Sequence, residues 1–297
     1  MRTVLIDAPG NVYVDTVPDP ALPGPDGAVV QITTAAICGS DLHFYEGDYL
    51  LATPLALGHE AIGTVVEVGP EVRTVKVGDP VLISSVAGCG HCVGCDTKDP
   101  ITCVSGPLIF GSGVLGGAQA ELLAVPSADF QLHRLPSDLS TEAALLLTDN
   151  LATGWAAAQR ADIPPGGTVV VFGLGAVGLC AVRCAVAQGA GQVFAVDPVE
   201  GRREMAARTA ATVSVVGVHD LNPFPFPATL SLIRSITLRM TTAPVQQTWP
   251  ALIPLLQSGR LDVDGIFTHA MSLDDAPKAY AAVAARTADC IKVTLTP

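Results

Sequence analysis

The sequence predicts an α/β protein of two domains, one β-rich and one built on a reduced parallel sheet of about four strands. Three observations carry this. Residues 1 to about 135 consist of short β-branched runs separated by Pro, Gly and Asp. From Ser140 the texture turns Ala/Leu-rich and helical. Then GGTVVVFGLGAVGLCAVRCAVAQGAGQVFAVD reads as a strand, a glycine turn, an apolar helix and a second strand, which is one βαβ unit.

The elements follow in order. TVLIDA, AVVQITTAAI, AIGTVVEVG and DPVLISSV are the strands of the first part. TEAALLLTDNLATGWAAAQRA is helical, with Thr141 or Ser140 as its N-cap. After the βαβ unit, ATVSVVGV (211–218) and SITLRMT (235–241) are two further strand candidates. WPALIPLLQSGRL is a helix ended at Gly259 with a possible kink at Pro254. From about Ile266 the tail holds a short strand, a helix (LDDAPKAYAAVAAR) and a last strand, CIKVTLT. The expected division is 1–150 plus 265–297 for the β-rich domain and 151–264 for the other.

Composition narrows the function classes. The 297 residues are 49% hydrophobic and 15% charged, with a mean hydropathy of +0.46, enough for two cores and unlike a disordered chain. No apolar run reaches the ~18 residues of a membrane span. Asp7 and Pro9 interrupt any leader-like segment, so a cytoplasmic location is expected. A net charge of -12 without a basic run excludes a phosphate-backbone partner. In that compartment eight cysteines point to metal or to core thiols, not disulfides.

Four of the eight settle which. GCGHCVGCDTKDPITC spaces Cys89, Cys92, Cys95 and Cys103 as C-x2-C-x2-C-x7-C. Four thiolates on one loop can enclose a tetrahedral zinc, and such closed sites are structural. Gly88, Gly90 and Gly94 let the loop fold tightly. The competing reading is a set of free or redox thiols. His91 lies inside the comb, but with four thiols it need not be a ligand.

CGSDLH (38–43), GHE (58–60) and TDNLATG (148–154) are weak signals singly. With the comb and the glycine turn, they resemble the zinc-dependent alcohol dehydrogenases of the medium-chain dehydrogenase/reductase superfamily over nearly the whole chain. The resemblance implies a GroES-like catalytic domain and a Rossmann-type cofactor domain, with two zinc ions per chain. It implies Cys38, His59 and Asp149 as catalytic-zinc ligands, and Glu60 beside the metal and able in some members to approach it. A Cys/His/Asp set leaves a fourth position open, as a catalytic zinc requires. The metal acidifies an alcohol, hydride passes to nicotinamide, and the released proton must reach solvent. Ser40 and His43 match the family's hydroxyl–imidazole relay. Asp41 is expected to hydrogen-bond a ligand histidine or nearby backbone.

Gly173, Gly175 and Gly178 stand in G-x-G-x-x-G spacing between a strand and a helix, the arrangement that admits a pyrophosphate to a helix N-terminus. Asp197, nineteen residues beyond Gly178, is placed to hold the adenosine ribose, favouring NAD over NADP. Arg202 and Arg203 could soften that preference. By resemblance, Lys292 reaches towards the cofactor pyrophosphate and Thr153 packs against the nicotinamide ring.

The cofactor half is short. Two mononucleotide-binding halves supply six strands, and four candidates are present, a deficit of roughly fifty residues against the usual layout. By resemblance the third and fourth strands are missing, with the join near Thr209–Thr212. EGRREMAARTA is about the dozen residues that a parallel crossover needs.

The expected function is hydride transfer between NAD(H) and a small alcohol, aldehyde or ketone. The alternative is a zinc-dependent lyase, isomerase, cyclase or hydrolase that has dropped the nicotinamide; a binding protein or inactive paralogue is a third reading. Phe44, Tyr45, Tyr49, Leu50, Phe110 and Trp155 are candidates for lining the substrate site. The family analogy, with ITLRM as an apolar edge strand, implies a homodimer or homotetramer.

Overall fold

The computed structural model describes residues 1–49, 54–197, 199 and 242–297. The expected strands at 211–218 and 235–241, the EGRREMAARTA helix, Arg202, Arg203 and Leu50 lie outside them.

The β-rich part contains β1 (Arg2–Ala8), β2 (Asn11–Thr16), β3 (Ala28–Ala36), β4 (Leu55–Ala56), β5 (Glu60–Val68), β6 (Pro80–Ile83), β7 (Val86–Ala87), β8 (Leu108–Ile109), β9 (Leu122–Val125) and β10 (Leu132–Arg134). Short helices α1 (Asp41–Glu46), α2 (Val93–Asp96) and α3 (Ala128–Gln131) interrupt them. Two longer helices follow, α4 (Thr141–Leu147) and α5 (Asn150–Arg160). The βαβ unit is β11 (Thr168–Phe172), α6 (Ala176–Ala187) and β12 (Gln192–Val196). After the undescribed stretch come α7 (Val245–Gln257), β13 (His269–Ser272), α8 (Ala276–Ala284) and β14 (Val293–Thr296).

The largest sheet runs β10-β6-β5-β3-β14-β13, with β9 also pairing β3. Its alternating apolar residues, among them Val30, Ile32, Val65, Val81 and Leu123, turn inward to one core. Each such side chain contributes about 1.5–3 kcal/mol by leaving water. β14 pairs antiparallel with β3 (Leu295 opposite Ala35), so the C-terminal strand joins the N-terminal sheet. The consequence for chemistry is positional. The chain leaving β3 at Cys38, the start of β5 at His59 and Glu60, and the approach to β14 at Lys292 converge at one end of the sheet.

β11 and β12 pair in parallel, Val170 opposite Phe194, with α6 as the crossover. α5 lies against α6 so closely that a Cβ on Gly154 would come within 2.6 Å of the Ala181 amide. The core here joins Leu145, Leu147, Leu151, Trp155, Val169, Leu179, Trp249 and Leu252.

One difference matters. The segment read as one helical stretch is two helices. Ser140 caps α4, its hydroxyl accepting from Ala143 N at 3.2 Å. At the other end the Thr148 hydroxyl donates to Leu145 O at 2.6 Å, and Asp149 leaves helical geometry at φ -156, ψ -71. The break turns Asp149 out of the helical run. The later helix α7 starts at Val245, earlier than expected, and passes through Pro250 and Pro254.

Candidate active site

Cys38 follows β3 and is 6% exposed; His59 immediately precedes β5 and Glu60 opens it; Asp149 stands at the helix break. These four side chains, 111 residues apart at the extremes, bring one ligand atom each within 4.8 Å of one another. Cys38 Sγ lies 3.3 Å from Asp149 Oδ2, and His59 Nε2 lies 3.6 Å from the same oxygen. Tetrahedral bonds of about 2.0–2.3 Å separate neighbouring ligand atoms by roughly 3.3–3.8 Å, so the donor set fits zinc.

The electrostatics point the same way. Burial pushes the Cys38 thiol up, and the carboxylates of Asp149 and Glu60 add to it. Burial works against a charged His59, yet Asp41 and Cys38 outweigh it and hold the imidazole well above its ordinary value. Burial alone would raise Asp149, but hydrogen bonding and charge from His59 bring it below the usual carboxylate range. A thiol, an imidazole and two carboxylates packed together in a dry site are a cation's environment, since a divalent ion reverses the cost of deprotonating the thiol.

Around the four sits an orienting layer. Asp41 Oδ1 lies 3.1 Å from His59 Nδ1, which leaves Nε2 facing the cluster. Asp41 Oδ2 accepts from Cys38 N at 2.9 Å. Ser40 Oγ is 3.3 Å from His59 Nε2. Backbone geometry brings Ser40 and His43 together, His43 N donating to Ser40 O at 3.3 Å, while His43 Nδ1 lies 2.8 Å from Asp48 Oδ2. Thr153, expected at the nicotinamide ring, donates its hydroxyl to Asp149 Oδ1 at 3.3 Å.

Lys292 is buried beside the ligand cluster. Its ammonium is 2.5 Å from Glu60 Oε2 and donates to Ile37 O at 3.3 Å, in a side chain only 1% exposed. The approach to β14 beside β3 places this ammonium on Glu60, at the edge of the ligand cluster. Asn150 was not anticipated. Its amide donates to Glu60 Oε1 at 2.7 Å and Asp149 Oδ2 at 2.9 Å, using both hydrogens. The available signal was an amide next to a ligand in an apolar helix. Among the aromatic candidates, Phe110 and Trp155 are core residues, 1% and 8% exposed, and Tyr45 packs on Tyr280.

The comb closes as a second cluster. Its Sγ atoms stand 3.6 Å (Cys92–Cys95), 3.9 Å (Cys92–Cys103) and 4.0 Å (Cys89–Cys95) apart, near the ~3.8 Å edge of a tetrahedron with 2.3 Å bonds. The backbone amides of Val104 and Cys95 lower the Cys92 thiol to about 6, whereas burial pushes Cys95 up to about 12. Gly94 has no room for a side chain: a Cβ would lie 2.3 Å from Thr102 O. His91 is exposed and stands outside the four-sulfur group.

The glycine turn is a cradle with one closed and one open side. A Cβ at Gly178 would fall 1.8 Å from Gly173 O, whereas at Gly173 and Gly175 it would meet nothing within 4 Å. Asp197, 6% exposed, spans the turn by accepting from Leu174 N at 2.7 Å and Val199 N at 2.8 Å. The open side, at the N-terminus of the twelve-residue α6, suits a pyrophosphate.

Comparison with known proteins agrees with this geometry. Residues 24–137 match the alcohol dehydrogenase GroES-like domain. A protein of Mycobacterium tuberculosis named "Probable zinc-binding alcohol dehydrogenase" is 59% identical over 341 positions, covering all of this chain and 89% of the relative. Against 297 residues here, 341 aligned positions leave a difference of 44 with no counterpart in this chain. An alcohol dehydrogenase from Thermus sp. ATN1 superimposes with a TM-score of 0.92 at 31% identity, covering 100% of this chain and 99% of that one. Zinc-dependent alcohol dehydrogenase 2 from Streptococcus pneumoniae gives 0.90 at 28%, covering 100% and 98%.

Proposed function

This chain belongs to the zinc-dependent alcohol dehydrogenases of the medium-chain dehydrogenase/reductase superfamily, and from that premise we propose that it transfers hydride between a small alcohol or carbonyl compound and NAD(H). The carrying observation is the convergence of Cys38, His59, Glu60 and Asp149 within 4.8 Å beside the α5–α6 pair. When bound, zinc supplies the Lewis acidity that lowers an alcohol's pKa, and NAD supplies the hydride acceptor.

The chain's own residues do the rest. Cys38, His59 and Asp149 hold the catalytic metal, and Cys89, Cys92, Cys95 and Cys103 hold a structural one. Asp41 fixes the His59 tautomer so that Nε2 faces the ligand cluster. Ser40 Oγ, beside His59 Nε2, would take the substrate proton while giving up its own hydroxyl proton, and His43, hydrogen-bonded to Asp48, would carry that proton outward. Glu60, anchored by Lys292 and Asn150, keeps a second carboxylate next to the ligand set. Gly173, Gly175 and Gly178 receive the pyrophosphate and Asp197 the ribose, while Thr153 sits between Asp149 and the cofactor side.

Residues 1–150 with 265–297 form the catalytic domain and 151–264 the cofactor domain, a division supported by the β14–β3 pairing. The chain works as a homodimer or homotetramer in the cytoplasm. No helix among the described residues is long and apolar enough to cross a membrane. The non-redox alternative has no observation in its favour, since the glycine turn and the carboxylate against it are intact.

The test pairs two measurements on the purified protein. Metal analysis should give two zinc ions per chain, and NADH should quench or shift fluorescence saturably, with alcohol oxidation requiring NAD. Absence of saturable NADH binding, with chelator-sensitive turnover lacking any nicotinamide, overturns the redox reading.

A further inference from the structure

We propose that Gln119 and Tyr280 are positioning residues for His59, acting through Asp41, so that helix α8 helps set the geometry of the catalytic metal. The proposal rests on the reading of Cys38, His59 and Asp149 as its ligands.

Gln119 is 0% exposed, and its backbone is held between β1 and the residue after β4: its amide donates to Leu57 O at 3.1 Å and its carbonyl accepts from Val4 N at 2.9 Å. Its side chain then makes three contacts. Nε2 donates to Ala36 O at 3.1 Å and to Asp41 Oδ2 at 3.3 Å, and Oε1 accepts from the Tyr280 hydroxyl at 2.9 Å. The orientation of this amide is forced. A peptide carbonyl such as that of Ala36 can only accept, so the NH2 group must face it, and the oxygen must face Tyr280. Both amide hydrogens are thereby used, one of them on Asp41.

The effect on Asp41 is to occupy one oxygen fully. Oδ2 takes the Cys38 amide and the Gln119 amide, which leaves Oδ1 for the Nδ1–H of His59. A carboxylate held on one side in this way presents a single, fixed acceptor to the imidazole. That fixes the tautomer and keeps the Nε2 lone pair turned to the ligand cluster.

The residue before His59 is fitted to the same device. Gly58 has φ +95, and a Cβ there would lie 2.4 Å from Gln119 Cγ. The glutamine side chain therefore crosses directly over the backbone that delivers the histidine. Tyr280, also 0% exposed, comes from α8, 161 residues away in sequence. A structural role alone would explain the burial; it does not require the amide to end on the carboxylate that orients a ligand.

The test uses the zinc-loaded protein and two variants, Gln119→Met and Tyr280→Phe. Catalytic-site zinc affinity is read by chelator competition, with the four-cysteine zinc as an internal control that general destabilisation would also loosen. The visible spectrum of protein carrying Co²⁺ at the catalytic site reads ligand geometry directly. Outer-shell changes of this kind cost about 10–100-fold in metal affinity. Gln119→Met should lie at the upper end and Tyr280→Phe near tenfold, with altered cobalt bands and unchanged retention of the comb zinc. Should Gln119→Met fail to fold, Tyr280→Phe decides alone, because it removes one oxygen from a ring that stays in place. Tyr280→Phe with zinc affinity within twofold of the parent and a superimposable cobalt spectrum overturns the proposal. A parent protein that holds only the comb zinc overturns the ligand reading itself, a distinct result.

Discussion

Lys292 and Glu60 meet at 2.5 Å between Nζ and Oε2, with side chains 1% and 0% exposed. Burial favours the neutral form of each, and each offsets that cost for the other. The pair stands against the ligand cluster, so it affects both stability and the field at the metal.

Removing one partner should therefore be worse than removing both. Lys292→Met leaves a buried carboxylate without its cation and is expected to cost about 3–5 kcal/mol in denaturant unfolding. The double variant Lys292→Met, Glu60→Gln should recover part of that loss. A single variant as stable as the parent would show that the pair is not dry.

The two metal clusters should separate by mutation. Cys38→Ser is expected to lower zinc content from two ions per chain to one while the fold persists, with kcat/KM falling about a thousandfold, or about 4 kcal/mol. Cys95→Ser should instead loosen the comb and lower Tm, because the four sulfurs are the centre of their small cluster. Elemental analysis beside a melting curve checks both.

The glycine cradle makes opposite predictions for two neighbouring positions. Gly178→Ala puts a methyl into Gly173 O and should destabilise by about 1–3 kcal/mol. Gly175→Ala meets nothing and has an ordinary φ of -69, so stability should change by less than about 0.5 kcal/mol. Its methyl enters the space a pyrophosphate needs, and NADH affinity should fall about tenfold or more. Equal NADH affinity in Gly175→Ala and the parent would remove the cofactor from this turn.

Asp129 gives a pH signature far from the metal. Burial pushes its carboxyl up, but the amides of Thr74 and Arg73 and the Thr74 hydroxyl outweigh this, so its pKa lies below the usual carboxylate value. A depressed folded pKa stabilises above the unfolded value of about 3.9, and the contribution is lost as pH falls through the folded value. Asp129→Asn should therefore cost about 1 kcal/mol at pH 7, modest because the group is exposed. The gap should close below about pH 4. A gap that widens on acidification would refute the assignment.

What could be read from the chain alone was whatever is local. The comb has all four sulfurs within fifteen residues, and the glycine turn is a single strand–turn–helix segment, so spacing alone carried their geometry. Cys38, His59 and Asp149 were legible through family resemblance, since nothing in their separate surroundings marks them as neighbours. The sequence by itself thus determined the strand and helix pattern of the β-rich part, the four-cysteine comb and the strand–turn–helix of the glycine turn. Tertiary structure decided three further things: the break that turns Asp149 out of a helical run, the placing of Lys292 on Glu60, and the path from Tyr280 through Gln119 to Asp41. The last two join residues from elements far apart in sequence, and the first is set within the turn from Leu145 to Asp149. Hydrophobic periodicity places an element on a core, but which buried polar atoms meet depends on sheet register and helix docking, and no local pattern encodes those.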